Sequence, residues 1–472
     1  MDKVFASPQA ALEGLEDGAT VAIGGFSVGH RFALSLITAL RDRGTKDLCV
    51  VCNSMGAAGE LRGQILAENG QVRKLIAAFT VRPGMPAASE AQIRAGTMDV
   101  ELVPQGTLVE RCRAGGADIP AFYSAACTGT EIAEGKESRV IDGRTYVLET
   151  AIKVDYALLR AWRADRAGNV QFRGGSQNLN PAFAKAARVA IVEVDEIVEV
   201  GDIPPELVNL PGIFISRVVR STNPFDAKQV PQSKKRPPDQ PRLYDGKPAL
   251  TRAGIAERAA RLVREGSYVN LGVGIPTMVS NYLEGRDVVL HAENGVLGYG
   301  RIVSGDRVDP DIYNASGQYV ELVPGASFFD SVTSFEMARG GRIDTVILGA
   351  YEVDATGSVA NWSTENARLG GIGGAMDLIS GGSELVIVME HCDSKGRPKL
   401  KARCSFPLSG RRCVDWVVTD LALLRWDEPA GEFELLEVAP GFTVDEVVAL
   451  TAMPVRPAAS VGTMAQLAAS DS

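Results

Sequence analysis

The chain has 472 residues, 45% hydrophobic and 23% charged, with a formal net charge of -9, the balance of a globular protein with enough apolar surface for two domains. Only short basic runs interrupt the acidic total, which excludes nucleic acid and an anionic membrane surface as bulk electrostatic partners; an anionic ligand must be held locally. No apolar run approaches the roughly 20 residues of a membrane helix, and Met1 to Phe5 lacks signal or transit features, so a cytoplasmic protein is expected.

Ser7-Pro8 opens a predicted capped helix over 7–15, followed by a strand at 20–23 and the glycine turn Gly24-Gly25-Phe26. Residues 48–52 read as a buried strand that points Cys49 and Cys52 to opposite faces, since side chains three apart on a strand diverge. That placement, and an odd total of seven cysteines, suit reduced thiols better than a redox pair or a disulfide framework. Further strands are predicted at 74–79 and 100–103.

Residues 221–247 are polar and proline-rich, with Pro224, Lys234-Lys235-Arg236-Pro237-Pro238, Gln240-Pro241 and Asp245-Gly246, and read as a linker between 1–220 and 248–472. Past it the opening pattern returns: a helix over 251–264, the strand Tyr268-Val269-Asn270-Leu271, then the turn Gly272-Val273-Gly274-Ile275-Pro276. Strands at 288–291, 345–348 and 385–389 alternate with helical or glycine-rich segments, which favours mostly parallel sheets. His391, Cys392, Cys404 and Cys413 lack the paired short intervals of a structural zinc site.

The two halves repeat each other. Val100-Glu101-Leu102-Val103-Pro104 recurs letter for letter as Val320-Glu321-Leu322-Val323-Pro324. Asp155, Ala161, Asp165, Gly168 and Val170 are echoed at the same spacing by Asp344, Ala350, Asp354, Gly357 and Val359. Two copies of one fold are implied. The expected class is therefore α/β, with two tandem open, mostly parallel domains able to form a site between them.

One segment places a chemically useful group at a strand end. Val288 through His291 is a β-branched run that leads to Glu293-Asn294-Gly295, and in open α/β sheets the working crevice lies beyond the carboxyl ends of the strands. Asn-Gly is equally a hairpin turn. Taken alone, the segment leaves a catalytic carboxylate and a solvated one both open. No Walker-type Gly-Lys-Ser follows any glycine run, which disfavours nucleotide hydrolysis.

A family resemblance sharpens this reading. Gly18-Ala19-Thr20-Val21 with Gly24-Gly25-Phe26, Val103-Pro104-Gln105-Gly106-Thr107-Leu108, Arg113-Ala114-Gly115-Gly116, Pro120-Ala121-Phe122-Tyr123 and Ala161 through Val170 resemble the α part of the 3-oxoacid CoA-transferases. Asn270 through Pro276, Glu293-Asn294-Gly295, Leu322-Val323-Pro324-Gly325-Ala326-Ser327, Ala360-Asn361-Trp362 and Gly373-Gly374-Ala375-Met376-Asp377 resemble the β part. The resemblance spans nearly the whole chain apart from the linker and the last residues, with both parts fused.

The resemblance implies a ping-pong transfer of CoA between short-chain or 3-oxo carboxylic acids, with Glu293 as nucleophile and Gln105 and the backbone N–H of Gly374 as oxyanion donors. It implies acyl-CoA and carboxylic acids as partners, coenzyme A as substrate, no metal or other cofactor, and a homodimer. It also puts Gly25, Asn53, Asn270, Gly272 and Gly274 among the substrate or CoA contacts. The glycine turn at 272–276 has two readings, a close approach to CoA or only a turn.

Three loops depart from the family pattern. Ser27-Val28-Gly29 is followed by His30-Arg31-Phe32 where a proline is usual, Cys52-Asn53-Ser54-Met55-Gly56 is altered, and Gly84-Met85-Pro86 replaces a Gly-Glu-Asn pattern. His30, Arg31 or Arg82 is expected to contact the acid's carboxylate, against the alternative of plain surface residues. Two other functions stay open at this point: an acyl-CoA thioesterase using Glu293, and a non-catalytic acyl-CoA-binding protein.

Overall fold

A computed structural model describes residues 2–26, 31–57, 60, 62–81, 87–223, 239–365 and 368–464. The first sheet contains β1 (Val4–Phe5), β2 (Thr20–Ile23), β3 (Leu48–Ser54), β4 (Val72–Phe79), β5 (Asp99–Leu102), β6 (Val154–Asp165), β7 (Ala187–Val198) and β8 (Arg217–Arg220). They lie in the order β1-β8-β7-β6-β2-β3-β4-β5, every neighbour parallel, with Val170–Gln171 added antiparallel to β6. Parallel strands are covered on both faces, which is why β3 is a continuous apolar run. Cys49 joins the core on one side of the sheet and Cys52 the core on the other, as the strand period requires.

The second sheet contains β9 (Ser267–Leu271), β10 (Val288–Ala292), β11 (Val296–Ile302), β12 (Val320–Phe328), β13 (Thr345–Gly349), β14 (Glu384–Val388), β15 (Trp416–Val418), β16 (Ala422–Asp427), β17 (Glu432–Val438) and β18 (Val455–Thr463). Its order is β12-β11-β10-β9-β13-β14-β15-β16-β17-β18. The middle five strands, β10 to β15 across β9, are parallel; β11 and β12 extend one side antiparallel, and β16 and β17 the other. Both readings of Glu293-Asn294-Gly295 hold together: the turn ends a parallel strand, β10, and also closes a hairpin to β11.

The internal repeat has a structural counterpart. Asp155 Oδ2 accepts the N–H of Thr20 at 2.9 Å, and Asp344 Oδ2 accepts the N–H of Tyr268 at 2.8 Å, so each ties its own central strand to the strand beside it. Gly168 and Gly357 each donate to the carbonyl of the matching Asp165 or Asp354 at 2.9 Å. The letter-for-letter match diverges. Pro104 precedes helix α1 (Gln105–Gly116), whereas Pro324 lies inside β12, an edge strand where a missing N–H is tolerated.

The predicted helix over 251–264 is shorter, Arg252–Ala260, with the Thr251 hydroxyl accepting the Gly254 N–H as its cap. Residues 224–238 of the expected linker lie outside the described residues. The rest of that stretch is partly structured: Leu243–Tyr244 pairs with Lys247–Pro248, and Tyr244 is buried edge-on against Phe442. No helix among the described residues is long and apolar enough to cross a membrane.

Backbone bonds fasten the halves together at the carboxyl end of β4 and the start of α1. Ile372 N–H donates to Ala78 O at 3.0 Å, Thr80 N–H to Gly370 O at 2.9 Å and Gln105 N–H to Gly373 O at 2.8 Å. Helix α2 (Ser331–Arg339) adds Val332 and Phe335 to the first half's core. Asp377, on the short helix α3 (Ala375–Ile379), accepts the Gly106 N–H at 2.8 Å and the Thr107 hydroxyl at 3.1 Å, and pairs with Arg339 at 3.2 Å.

Candidate active site

In each sheet the strand order reverses direction about one central strand, β2 in the first and β9 in the second. Ligands of open α/β sheets bind at the carboxyl ends around such a point. Here both sets of carboxyl ends open onto one cavity of about 720 Å³. The first half contributes Phe26 after β2, Asn53 on β3, Phe79 on β4 and Gln105 at the start of α1. The second contributes Gly272 and Gly274 after β9, Glu293 after β10, Tyr351 after β13, and Gly374 before α3.

Glu293 is buried, 6% exposed, although it lines the cavity. The β10–β11 turn carries it, and the Ser331 hydroxyl donates to its backbone carbonyl at 3.3 Å. Its Oε2 has no hydrogen-bond partner among the described residues. Burial pushes the carboxyl up to about 7, against the pull of its own backbone N–H and the Asn270 amide. A carboxylate so poorly solvated keeps its electron pair available for attack on a carbonyl carbon.

Two donors share its cavity. Gln105 is 2% exposed; its Nε2 donates to Asn53 Oδ1 at 2.7 Å, leaving the second N–H of the amide for a ligand. The Gly374 N–H donates to no group among the described residues. A Cβ on Gly374 would stand 3.3 Å from Glu293 Cγ, so backbone and carboxylate approach closely. Gly272, Gly274 and Asn53 line the same cavity as Glu293, Gln105 and Gly374.

Asn270 does not line the cavity: it sits behind it on β9, opposite His291 of β10. Gly25 does not line it either. Its φ is +126°, and a Cβ there would collide with the Phe32 ring, so the glycine serves the turn and its packing. Arg31 differs most from expectation. It is 5% exposed, lies outside the cavity wall, and holds both carboxylate oxygens of Asp311 as well as Asp195, which also pairs with Arg160. A guanidinium held by two aspartates ties the halves together. His30 and Arg82 lie outside the described residues.

No sequence motif marked the cations that line the cavity, Arg62, Arg252 and Lys399. Arg62 is buried, pairs with Glu60 at 3.4 Å and lies 4.3 Å over the Phe32 ring. Lys399 lies beside Glu390, and burial pushes its ammonium down to about 8. Only the fold brings these side chains to the site.

A family model described as Coenzyme A transferase matches residues 5–221 and 252–450. The mitochondrial succinyl-CoA:3-ketoacid coenzyme A transferase 2A of Rattus norvegicus is 39% identical over 469 residues, 95% of this chain and 88% of its own. The human mitochondrial enzyme 2 is likewise 39% identical, over 94% of this chain and 88% of its own. The apoenzyme of an acyl-CoA transferase (YdiF) from Escherichia coli O157:H7 superposes with a TM-score of 0.79 at 21% identity, covering 98% of this chain and 95% of that one.

These relatives correct one expectation. The rat and human proteins are mitochondrial, which overturns the cytoplasmic reading. Targeting segments are removed from mature proteins, so the composition of the folded part is blind to compartment. The match over both halves, and the arrangement of the two sheets around one cavity, place the chain in the coenzyme A transferase family.

Proposed function

We propose that this enzyme moves CoA between succinyl-CoA and a 3-oxo acid, with Glu293 as the nucleophile of a ping-pong cycle. The observation that carries the reading is the buried Glu293 carboxylate, without a partner on Oε2, in a cavity walled by both halves. The relatives' activity on succinyl-CoA and 3-ketoacids supports the substrate class. Glu293 attacks the thioester carbonyl, the C–S bond breaks, and a mixed anhydride forms as CoA leaves as thiolate. The thiolate then attacks the glutamyl carbonyl, releasing the first acid and leaving a glutamyl-CoA thioester; the acceptor acid reverses both steps. Each step passes through a tetrahedral oxyanion, for which the free N–H of Gln105 and the Gly374 N–H are the donors. CoA enters as substrate and no further cofactor is needed. The units 1–220 and 248–472 act together, and a homodimer is the assembly the family resemblance implies.

Intact-protein mass spectrometry after mixing with succinyl-CoA and no acceptor tests this. A CoA-sized addition mapped to the Glu293 peptide is expected, and a cavity that turns over acyl-CoA without any such adduct would overturn the covalent cycle.

A further inference from the structure

Directly behind Glu293, β9 and β10 bring together a hydrogen-bonded chain that nothing in the cycle above uses. Asn270 and His291 are register partners on adjacent parallel strands, and both are fully buried. Asn270 Nδ2 lies 3.0 Å from His291 Nδ1 and 3.3 Å from the His291 carbonyl. A carbonyl only accepts, so the amide nitrogen is the donor and Nδ1 the acceptor. The imidazole proton is therefore on Nε2, 2.9 Å from Ser334 Oγ of α2. The Ser334 hydroxyl in turn reaches the carbonyl of Ala292 at 3.4 Å, the residue before Glu293. Phe329 stacks on the ring at 6.3 Å with 13° between planes, which holds its orientation.

We propose that His291 is a positioning residue for Glu293: as a neutral imidazole it holds the Asn270 amide in place behind the carboxylate, a role that rests on the nucleophile reading above. The second side of the amide offers no alternative hold, since Asn270 Oδ1 is buried and unpartnered among the described residues. The Asn270 amide is one of two groups that favour the ionised Glu293. Burial pushes the His291 imidazole down to about 4, so it stays neutral wherever Glu293 is ionised; an imidazolium would donate from Nδ1 and turn the amide away. The other ionisable groups around the carboxylate are Tyr299 on β11, Asp377 with Arg339, and Arg62, Arg252, Tyr351, Glu390 and Lys399 in the cavity wall.

The test compares wild type, His291→Phe and His291→Gln in single-turnover loading of CoA onto Glu293 from succinyl-CoA, followed against pH. His291→Phe removes the acceptor and is expected to slow loading about 2- to 10-fold, the worth of a hydrogen bond between neutral groups. Its half-saturating donor concentration is expected to stay within about twofold, and the midpoint of its pH profile to move up. Gln carries both an acceptor for Asn270 and a donor for Ser334, and is expected to restore the midpoint and most of the rate. A Phe variant with the wild-type midpoint, or a Gln variant as impaired as Phe, would overturn the proposal while leaving the nucleophile reading standing. A wild type that never carries CoA on Glu293 would overturn both.

Discussion

Gly374 and Glu293 stand so close that a methyl group on the glycine would lie 3.3 Å from Glu293 Cγ and 2.9 Å from the Phe335 ring. The backbone of Gly374 has φ −90° and ψ −3°, which alanine adopts without strain. Gly374→Ala therefore keeps the N–H but presses on the buried Phe335 ring and on Glu293 Cγ. Because a shift of about 1 Å can cost about 100-fold in rate and this crowding is smaller, kcat/KM is expected to fall by about 10-fold. The melting temperature should move by only a few degrees, as scanning calorimetry will show. An alanine variant with wild-type kinetics would place the reacting carboxylate elsewhere.

Glu293 attacks as the carboxylate, and burial pushes its carboxyl up to about 7. Activity should therefore be lost as pH falls through about 7, a limb visible in kcat/KM of the free enzyme. The sign for stability is opposite to that of an ion-paired acid. The raised value means the folded state binds the proton more tightly than the unfolded chain, so stability is lost as pH rises from about 4.5 to about 7. Glu293→Gln should be inactive, equal to wild type in denaturant titrations near pH 4, and more stable at pH 8 by on the order of 3 kcal/mol. Equal stabilities at both pH values would show that the carboxylate is solvated.

Gln105 is fixed at both ends, its backbone N–H on Gly373 and its side-chain amide on Asn53. Gln105→Ala is expected to lower kcat by about 10² to 10³, the usual loss for one oxyanion donor, with KM nearly unchanged. Asn53→Ala leaves the donor in place but loosens it, so a smaller loss is expected. If Gln105→Ala instead raised KM at constant kcat, the amide would be binding substrate uniformly and not the oxyanion.

The parallel strands, the duplication and the position of Glu293 were legible because each rests on local pattern: apolar runs, a repeated Asp spacing, a carboxylate at a strand end. The Asp155–Thr20 and Asp344–Tyr268 bonds are what that repeated spacing encodes. The role of Pro324 was not legible, since the same five residues precede a helix in one half and lie within an edge strand in the other. Neither were Arg62 and Lys399, whose neighbours carry no motif and which reach the cavity only through tertiary placement. The ion pairs of Arg31 were hidden for a related reason: its partners Asp195 and Asp311 lie 164 and 280 residues away in sequence.

Arg31 and Arg62 separate stability from specificity. Arg31 is enclosed by Asp311 and Asp195, so Arg31→Ala leaves the buried Asp311 with only Arg173, at 3.5 Å, among the described residues, while Asp195 keeps Arg160, and is expected to cost about 3 kcal/mol in denaturant unfolding. Its ranking of acceptor acids should stay that of wild type. Arg62 lines the cavity that Asn53 and Gln105 share, and its guanidinium is expected to pair with the distal carboxylate of a succinyl group. Arg62→Leu is expected to lower kcat/KM for succinyl-CoA about 10- to 100-fold, the worth of a charge-assisted hydrogen bond. For an acyl-CoA without a second carboxylate the loss should stay within about threefold. Kinetics of both variants on the two donors decide the matter: equal losses on both donors for Arg62→Leu would make its pairing with Glu60 structural, and a changed acid ranking for Arg31→Ala would return that residue to the substrate.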